Sequence, residues 1–400
     1  MSVYNTLLER GFVKQVVFED DLKKLLQHKK IAFYVGFDPT ADSLHIGHYI
    51  PIMAMMHMQR AGHTPIVLLG GGTGLIGDPS GKTDLRNVLD DTTTQNYVNS
   101  FKTQMKRFFS FEGENAALII DNAEWLKNLN YINFLREIGP HFSVNKMLTA
   151  DCYKQRMEKG LTFLEFNYML CQGYDFLELY RRHKCLLQIG GNDQWSNILA
   201  GADLIRRKER ADAYALTLPL LLKSDGSKMG KSSKGALWLD KNKTSPYDFF
   251  QYFRNVEDEK TEECLRLLTF LELDKIAEIT QHKDQRMNAA KEILAYEVTK
   301  LIHGQDEAEA ALRQARGAFS DGQDMPMLKL DINLDASIVD IMVLSKIAAS
   351  KSEARRLIEG GGVKIDESKV ISPDDKISKY MQKQEFILHK GKKVRLKIVF

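Results

Sequence analysis

The sequence predicts an α/β fold: a doubly wound parallel sheet, then a helical region, then a small mixed module at the C-terminus. Three observations carry this prediction. Between Ile31 and about Leu222, apolar strand-like runs alternate with helical stretches, the pattern of a parallel sheet covered on both faces. From 245 to 320 the periodicity becomes almost wholly helical. Residues 337–400 then change character, with 14 Lys and Arg against 8 Asp and Glu, a net of +6, whereas the rest of the chain holds 42 against 45. A basic end on a mildly acidic body suits a polyanionic partner, although a solvated basic surface would have the same composition.

Composition bounds the class. Four hundred residues leave room for two or three domains, and 44% apolar with 27% charged is ordinary for a soluble protein. No apolar run approaches the roughly 20 residues of a membrane span. Met1 to Glu19 lacks a basic segment followed by an apolar core, so no secretory signal is expected. Cys152, Cys171, Cys185 and Cys264 are scattered without a C-x-x-C pair. That argues against a disulfide framework or zinc site and for a reducing cytosol.

The first strand is the apolar run Ile31–Gly36. It leads into Asp38-Pro39-Thr40-Ala41-Asp42-Ser43-Leu44-His45-Ile46-Gly47-His48. Asp42 and Ser43 are natural N-cap residues, an apolar-rich helix runs on to Ala61, and Gly62 ends it. Such a junction is expected to aim free backbone N–H groups and the positive helix end at one point, where an anion fits. His45 and His48 share one face of the first turn, and Gly47 between them lets a flat ring approach the backbone. The bare H-x-x-H pattern also fits two surface histidines.

A second strand, Pro65–Gly70, opens a glycine-rich stretch. Gly72-Thr73-Gly74-Leu75-Ile76-Gly77 fits the dinucleotide fingerprint, with Asp90 lying 18 residues beyond Gly72. This supports an alternative reading, a nicotinamide- or flavin-dependent enzyme. Against it, Pro79 and Gly81 suit a turn and not the helix that a pyrophosphate requires. Gly81-Lys82-Thr83 looks like the end of a P-loop, but the earlier glycine would fall at Ile76. What remains is a glycine-rich wall with one carboxylate, Asp78. Lys82 and Arg86 are four apart and either share a phosphate or carboxylate or form a solvated face.

A helix over Thr94–Phe109, a strand over Ala117–Asp121 and a helix over Glu165–Tyr180 follow. On the last, Tyr168, Gln172 and Asp175 form one stripe, either a ligand-reading face or a half-buried polar seam. The fourth strand, Leu186–Ile189, runs into Gln188-Ile189-Gly190-Gly191-Asn192-Asp193-Gln194-Trp195. Paired glycines and a carboxylate there suit ribose hydroxyls, or else a capped strand-to-helix turn. A fifth strand, Tyr214–Leu221, precedes the polar, basic loop Lys223–Gly235. Pro246 starts a helix, and Asn288–His303 carries Ile293, Leu294, Tyr296, Val298 and Leu301 on an apolar face. Met325–Asp335 reads as a linker. After it come helices over Ile338–Ala349 and Lys351–Glu359, ended by Gly360-Gly361-Gly362, and strands including Lys364–Asp366 and Val394–Val399. The last alternates Val394, Leu396 and Ile398 with Arg395 and Lys397, one apolar and one cationic face.

His45-Ile46-Gly47-His48 resembles the His-Ile-Gly-His signature of class I aminoacyl-tRNA synthetases. Tyr34-Val35-Gly36-Phe37-Asp38-Pro39-Thr40 ahead of it looks like the bacterial-type, tyrosine-specific branch of that class. Lys228-Met229-Gly230-Lys231-Ser232 resembles the second signature, Lys-Met-Ser-Lys-Ser, with Gly230 in place of the first serine. That variant occurs among the tyrosine enzymes and is expected to add flexibility. The resemblance spans essentially the whole chain. It implies a Rossmann-like catalytic domain over 1–225, a signature loop with an α-helical anticodon-binding domain over 226–325, and an S4-like α+β RNA-binding domain over 336–400.

The same resemblance implies the chemistry. The carboxylate of L-tyrosine attacks the α-phosphate of ATP, giving tyrosyl-adenylate and pyrophosphate, and tyrosine then passes to the 3′-terminal adenosine of tRNA(Tyr). Tyr34 and Asp175 would meet the phenol hydroxyl, while Asp78, Tyr168 and Gln172 would meet the ammonium. Gln188 and Gln194 would complete the amino-acid pocket. Gly36, Asp38, Gly47, Gly191 and Asp193 would line the nucleotide site, with Asp193 and Gly191 at the ribose. Thr40, His45, His48, Lys82, Arg86, Lys228, Lys231 and Ser232 would act on the phosphates, with His48, His45 and Lys231 also touching ATP. Magnesium is expected with ATP, without a protein ligand of its own or any tightly bound cofactor. A cytoplasmic homodimer without membrane attachment is the expected form. Two further readings stay open: the dinucleotide enzyme, which would bind a nicotinamide or flavin, and an RNA-binding protein without ATP turnover.

Overall fold

In the computed structural model the described residues are 2–80, 89–232, 235–282, 284–317, 327–330, 335–345, 347–380, 385–391 and 394–399. The candidates Lys82 and Arg86 lie outside them, and so do the side chains of Lys231 and Ser232. The chain divides into two compact units. One joins Met1–Ser245 to Phe253–Ile302, and the other joins Pro246–Tyr252 to His303–Phe400.

The first unit is built on six strands: β1 Gln15–Val16, β2 Ala32–Phe37, β3 Thr64–Leu69, β4 Leu118–Asp121, β5 Cys185–Gly191 and β6 Tyr214–Leu218. Their spatial order is β1-β6-β5-β2-β3-β4. All neighbours run parallel except β1, which lies antiparallel to β6. β3 and β6 are buried along nearly their whole length, as strands covered on both faces must be. All five strands predicted from the sequence are present. The fifth stops at Leu218 and not Leu221, because Pro219 has no N–H to continue the ladder. Tyr34, Ile66, Leu68, Trp125, Phe176, Leu177, Ala202 and Ile205 belong to one buried cluster.

From β2 the chain continues to β3 and β4 on one side, and from β5 to β6 on the other. The order therefore reverses between β2 and β5, and a crevice opens beyond the carboxyl ends of such a pair. Three helices line it: Ile46–Arg60, Tyr168–His183 and Trp195–Glu209. The helix expected over Glu165–Tyr180 is broken at Asn167, after the short turn Phe163–Phe166. A capping box between Thr162 and Glu165 starts that turn, and the buried Arg156 holds Glu165 from two guanidinium nitrogens.

Helices Pro246–Arg254, Asp258–Leu268, Leu273–Thr280, Met287–His303 and Gln305–Gly317 fill the predicted helical region. The buried face of Met287–His303 is Leu294, Ala295, Val298 and Ile302, and Ile293, Tyr296 and Leu301 are only partly covered. In the second unit a five-stranded sheet runs Ser368–Lys369, Val363–Ile365, Glu385–Lys390, Val394–Val399, Met327–Lys329. Met327–Lys329 pairs parallel with Val394–Val399, so the expected linker contains an edge strand. Helices Ile338–Leu344 and Lys351–Glu359 cover the sheet around Ile341, Ile358, Phe386 and Ile398. The first stops five residues short of the expected Ala349, and Ser350 caps the next by accepting from Glu353 N–H.

Candidate active site

The crevice between β2 and β5 encloses about 490 Å³. Its upper wall is the start of the helix Ile46–Arg60. Asp42 and Ser43 were expected to cap this helix, but His45 does. Its Nδ1 accepts from Gly47 N–H at 3.0 Å, and His48 Nδ1 accepts from His45 N–H at 3.1 Å. A reciprocal cap made of two imidazoles satisfies what Ser and Glu do elsewhere. The rings stack with centroids 3.9 Å apart. Because both Nδ1 atoms accept, each neutral ring carries its proton on Nε2. Burial, and then the neighbouring His45, push the His48 imidazole well below its ordinary pKa, so it stays neutral.

The open amides expected at this helix end are taken. Ile46 N–H donates to Leu237 O at 2.9 Å, Gly47 N–H to His45 Nδ1, and His48 N–H to His45 O at 2.9 Å. The junction therefore offers an anion the helix dipole and two imidazole donors in place of a bare amide nest. Leu237 N–H in turn donates to Gly230 O at 2.8 Å, tying Lys228-Met229-Gly230 to the same helix start. Gly230 sits at φ +77°, and a Cβ there would lie 2.0 Å from Ile46 Cγ2. Close approach and a left-handed backbone, beyond flexibility, thus require glycine at this place. Thr40 and Gly36 are exposed to the crevice, and Lys228, Met229 and Gly230 line it. Lys231 and Ser232 form a two-residue strand paired with Gly235–Ala236.

At the crevice floor Asp175 is 2% exposed. Its Oδ1 accepts from Trp125 Nε1 at 2.7 Å and its Oδ2 from Asn122 Nδ2 at 2.9 Å. Burial pushes the carboxyl up to about 8, against the pull of these two donors. Tyr34 faces the same space, buried against the Phe176 ring at 5.2 Å, and its hydroxyl has no hydrogen-bond partner. Burial, and then the Asp175 charge, raise the Tyr34 phenol well above its ordinary pKa. Asn122 also accepts from Gly72 N–H at 2.7 Å and donates to Thr73 Oγ1 at 2.9 Å, pinning the glycine-rich turn.

Beside this floor, Tyr168 donates to Asp38 Oδ2 at 2.9 Å and Thr73 to Asp38 Oδ1 at 2.7 Å. Tyr168 and Asp78, expected together at the ammonium, both line the crevice. Asp78 accepts from Gln194 Nε2 at 2.7 Å and Ser80 N–H at 2.9 Å. Gln172 and Gln188 line the crevice, each with a buried Oε1 that has no partner. Three unpartnered polar groups in one crevice, with Tyr34, mark where a polar ligand belongs. Asp193 and Gly191 close the remaining side. Burial raises the Asp193 carboxyl, while Lys228 Nζ at 3.7 Å from it acts in the opposite direction.

All the candidates whose side chains are described therefore meet at one crevice. Thr73, Asn122 and Trp125 were missed. The available signal was Asn122 directly after the strand Ala117–Asp121, at the end where ligands bind. The dinucleotide alternative loses its two supports. Gly72–Gly77 itself holds only a 3₁₀ turn, Thr73–Leu75, and Asp90 is spent capping the helix Asp91–Met105 through Thr93.

Residues 26–320 match the family model described as tRNA synthetases class I (W and Y), and residues 313–396 match that of the tyrosine–tRNA ligase SYY-like C-terminal domain. A tyrosine–tRNA ligase of Clostridium kluyveri is 56% identical over 98% of each chain. One of Clostridium tetani is 53% identical over 100% of this chain and 99% of its own. Among solved structures, a C-terminally truncated mitochondrial tyrosyl-tRNA synthetase of Aspergillus nidulans superposes with a TM-score of 0.71 at 30% identity, covering 79% of this chain and 93% of that one. With the two signatures meeting at the switch point of a parallel sheet, the chain belongs to the class I tRNA synthetases, in their tyrosine–tRNA ligase branch.

Proposed function

We propose that this crevice activates L-tyrosine with ATP, releasing pyrophosphate, and then esterifies the 3′-terminal adenosine of tRNA(Tyr). The observation that carries the reading is the buried Asp175, presented by Trp125 and Asn122 beside the unpartnered Tyr34 hydroxyl. A phenol O–H entering there donates to an Asp175 oxygen and accepts from Tyr34, so the Tyr34 hydroxyl gains a partner. The tyrosine ammonium sits at Asp78, Tyr168 and Gln172, with Gln188 and Gln194 completing the amino-acid pocket. Its carboxylate then points toward the helix Ile46–Arg60, where the α-phosphate lies. Gly47, Gly191 and Asp193 hold the nucleoside.

No protein nucleophile is required, since the substrate's carboxylate attacks phosphorus and pyrophosphate carries away the electron pair. What the chain supplies is alignment and charge. Nε2–H of His45 and His48, the helix dipole, Thr40, and the cations Lys228 and Lys231 stabilise negative charge as it builds on the departing phosphates. Ser232, Lys82 and Arg86 belong to the same role. Magnesium arrives on the ATP phosphates as part of the substrate.

The remaining assignments concern assembly. Residues 1–225 form the catalytic domain, 226–325 the signature loop and anticodon-facing helices, and 336–400 an S4-like RNA-binding domain, whose charge excess favours phosphate and sugar contacts. The chain works as a cytoplasmic homodimer. Tyr131, Ile132, Val144, Met157, Phe163 and Leu164 support this, being large apolar side chains left 47–59% exposed, or 69% for Phe163, on neighbouring short helices. No helix among the described residues is long and apolar enough to cross a membrane. Rapid-quench measurement is expected to show tyrosine-dependent formation of an enzyme-bound adenylate with equimolar pyrophosphate. Pyrophosphate release that ignores tyrosine contradicts the reading.

A further inference from the structure

We propose that Asn197 is a positioning residue that sets which way the Gln194 amide faces, and so prepares the ammonium end of the amino-acid pocket. Asn197 is 1% exposed and does not itself line the crevice. It lies three residues after Gln194, on the same face of the first turn of the helix Trp195–Glu209. Its Nδ2 donates to Gln194 Oε1 at 3.1 Å and to Ser80 Oγ at 3.1 Å. Gln194 Nε2 donates to Asp78 Oδ2 at 2.7 Å, and Ser80 N–H donates to Asp78 Oδ1 at 2.9 Å. Asn197, Gln194, Asp78 and Ser80 close a four-membered ring of hydrogen-bonded residues.

The ring has only one workable polarity. An ionised carboxylate accepts and cannot donate, so Gln194 must turn its NH₂ toward Asp78. Its oxygen then faces Asn197, which must present NH₂ in return. That orientation leaves Asn197 Oδ1 buried without a partner. The side chain thus holds an arrangement that is locally unfavourable to itself, which buried amides avoid unless something larger demands it. The demand comes from Asp78. With Gln194 and Ser80 fixed, both carboxylate oxygens stay in place and their remaining lone pairs face the crevice.

This rests on the reading that Asp78 receives the ammonium of tyrosine, and the experiment separates the two. Asn197→Asp is nearly isosteric but sets an acceptor against Gln194 Oε1, which turns that amide and brings its oxygen to Asp78. Calorimetry on the full chain would use three probes: tyrosine, tyramine, and 3-(4-hydroxyphenyl)propanoate, which lacks the ammonium. The expected result is a loss of about tenfold or more in affinity for tyrosine and tyramine, the worth of one hydrogen bond to a charged group. Affinity for the ammonium-free acid stays within about twofold, and so does the KM for ATP. Equal losses for all three probes would show a merely structural role and overturn the proposal. So would no loss. Asp78→Asn is the control. If it leaves tyramine binding unchanged, the underlying reading fails; if it weakens tyramine while Asn197→Asp does not, only the proposal fails. Should Asn197→Asp not fold, Asn197→Ala replaces it, with the same selectivity expected at a loss of a few-fold, because no acceptor then opposes Gln194.

Discussion

Replacing Tyr34 by Phe should stabilise the empty protein and spoil its selectivity at once. The Tyr34 hydroxyl is buried, with no hydrogen-bond partner. A buried polar group left unpaired costs about 1–3 kcal/mol, and the substitution removes that cost while keeping the ring packed on Phe176. In a unit of this size roughly 2 °C of melting temperature corresponds to 1 kcal/mol, so the ligand-free variant should melt about 2–6 °C higher. With tyrosine bound the sign reverses, because the hydroxyl then has a partner in the substrate's phenol. A neutral hydrogen bond is worth about 0.5–1.5 kcal/mol, hence the tyrosine-to-phenylalanine ratio of kcat/KM should fall roughly 2- to 13-fold. Differential scanning calorimetry with and without tyrosine measures the first effect, and amino-acid-dependent ATP–pyrophosphate exchange the second. A lower melting temperature for the empty variant, together with an unchanged ratio, would refute the placement of this hydroxyl at the substrate's phenol.

Asp175→Asn should flatten the pH dependence of stability. The folded carboxyl titrates near 8, against about 3.9 in an unfolded chain, so between these values the folded state holds one proton more. Its contribution is full below about pH 4 and is lost as pH rises through 8, at about 1.4 kcal/mol per pH unit. Urea midpoints at pH 5, 6.5 and 8 that fall equally in both proteins would contradict this. Gly230→Ala should lower the rate of adenylate formation at least about tenfold, since a left-handed alanine costs about 1–3 kcal/mol and its Cβ meets Ile46. Tyrosine affinity, set at the far end of the crevice, should hold in calorimetry; a parallel loss would show that the two ends are not separable. A chain ending at Gly317, after the last helix before the C-terminal sheet, should keep tyrosine-dependent exchange and lose most tRNA charging. Its tRNA binding should also show a flatter salt dependence, because fewer counterions are released. Unchanged charging and salt slope would make the basic module a bystander.

The sequence revealed most about features decided by neighbours along the chain. β2, β3, β5 and β6 are runs of apolar residues bounded by glycine or proline, and their limits were legible to within about three residues. The stripe of Tyr168, Gln172 and Asp175 was legible because helical spacing alone puts them on one face. The cap of the helix Ile46–Arg60 was misplaced because Asp42 and Ser43 are better N-caps by type. Their side chains are spent elsewhere: Asp42 pairs with Lys243 and Ser43 bonds Leu44 O and Gln104. Asn122 and Trp125 escaped notice because their partner Asp175 lies some 50 residues away on another element. The edge strand Met327–Lys329 escaped for the same reason, as its partner is the last strand of the chain. β1 is only two residues long and leaves no periodicity to read.

The central claim is that Tyr34 and Asp175, in one crevice with the His45–His48 turn, make tyrosine the amino acid that is activated. ATP–pyrophosphate exchange across all twenty amino acids, on the purified full-length chain, tests it most directly. The account predicts rapid exchange with tyrosine and none of comparable rate with the other nineteen, phenylalanine and tryptophan included. Equal exchange with tryptophan, or no exchange with tyrosine, would contradict it.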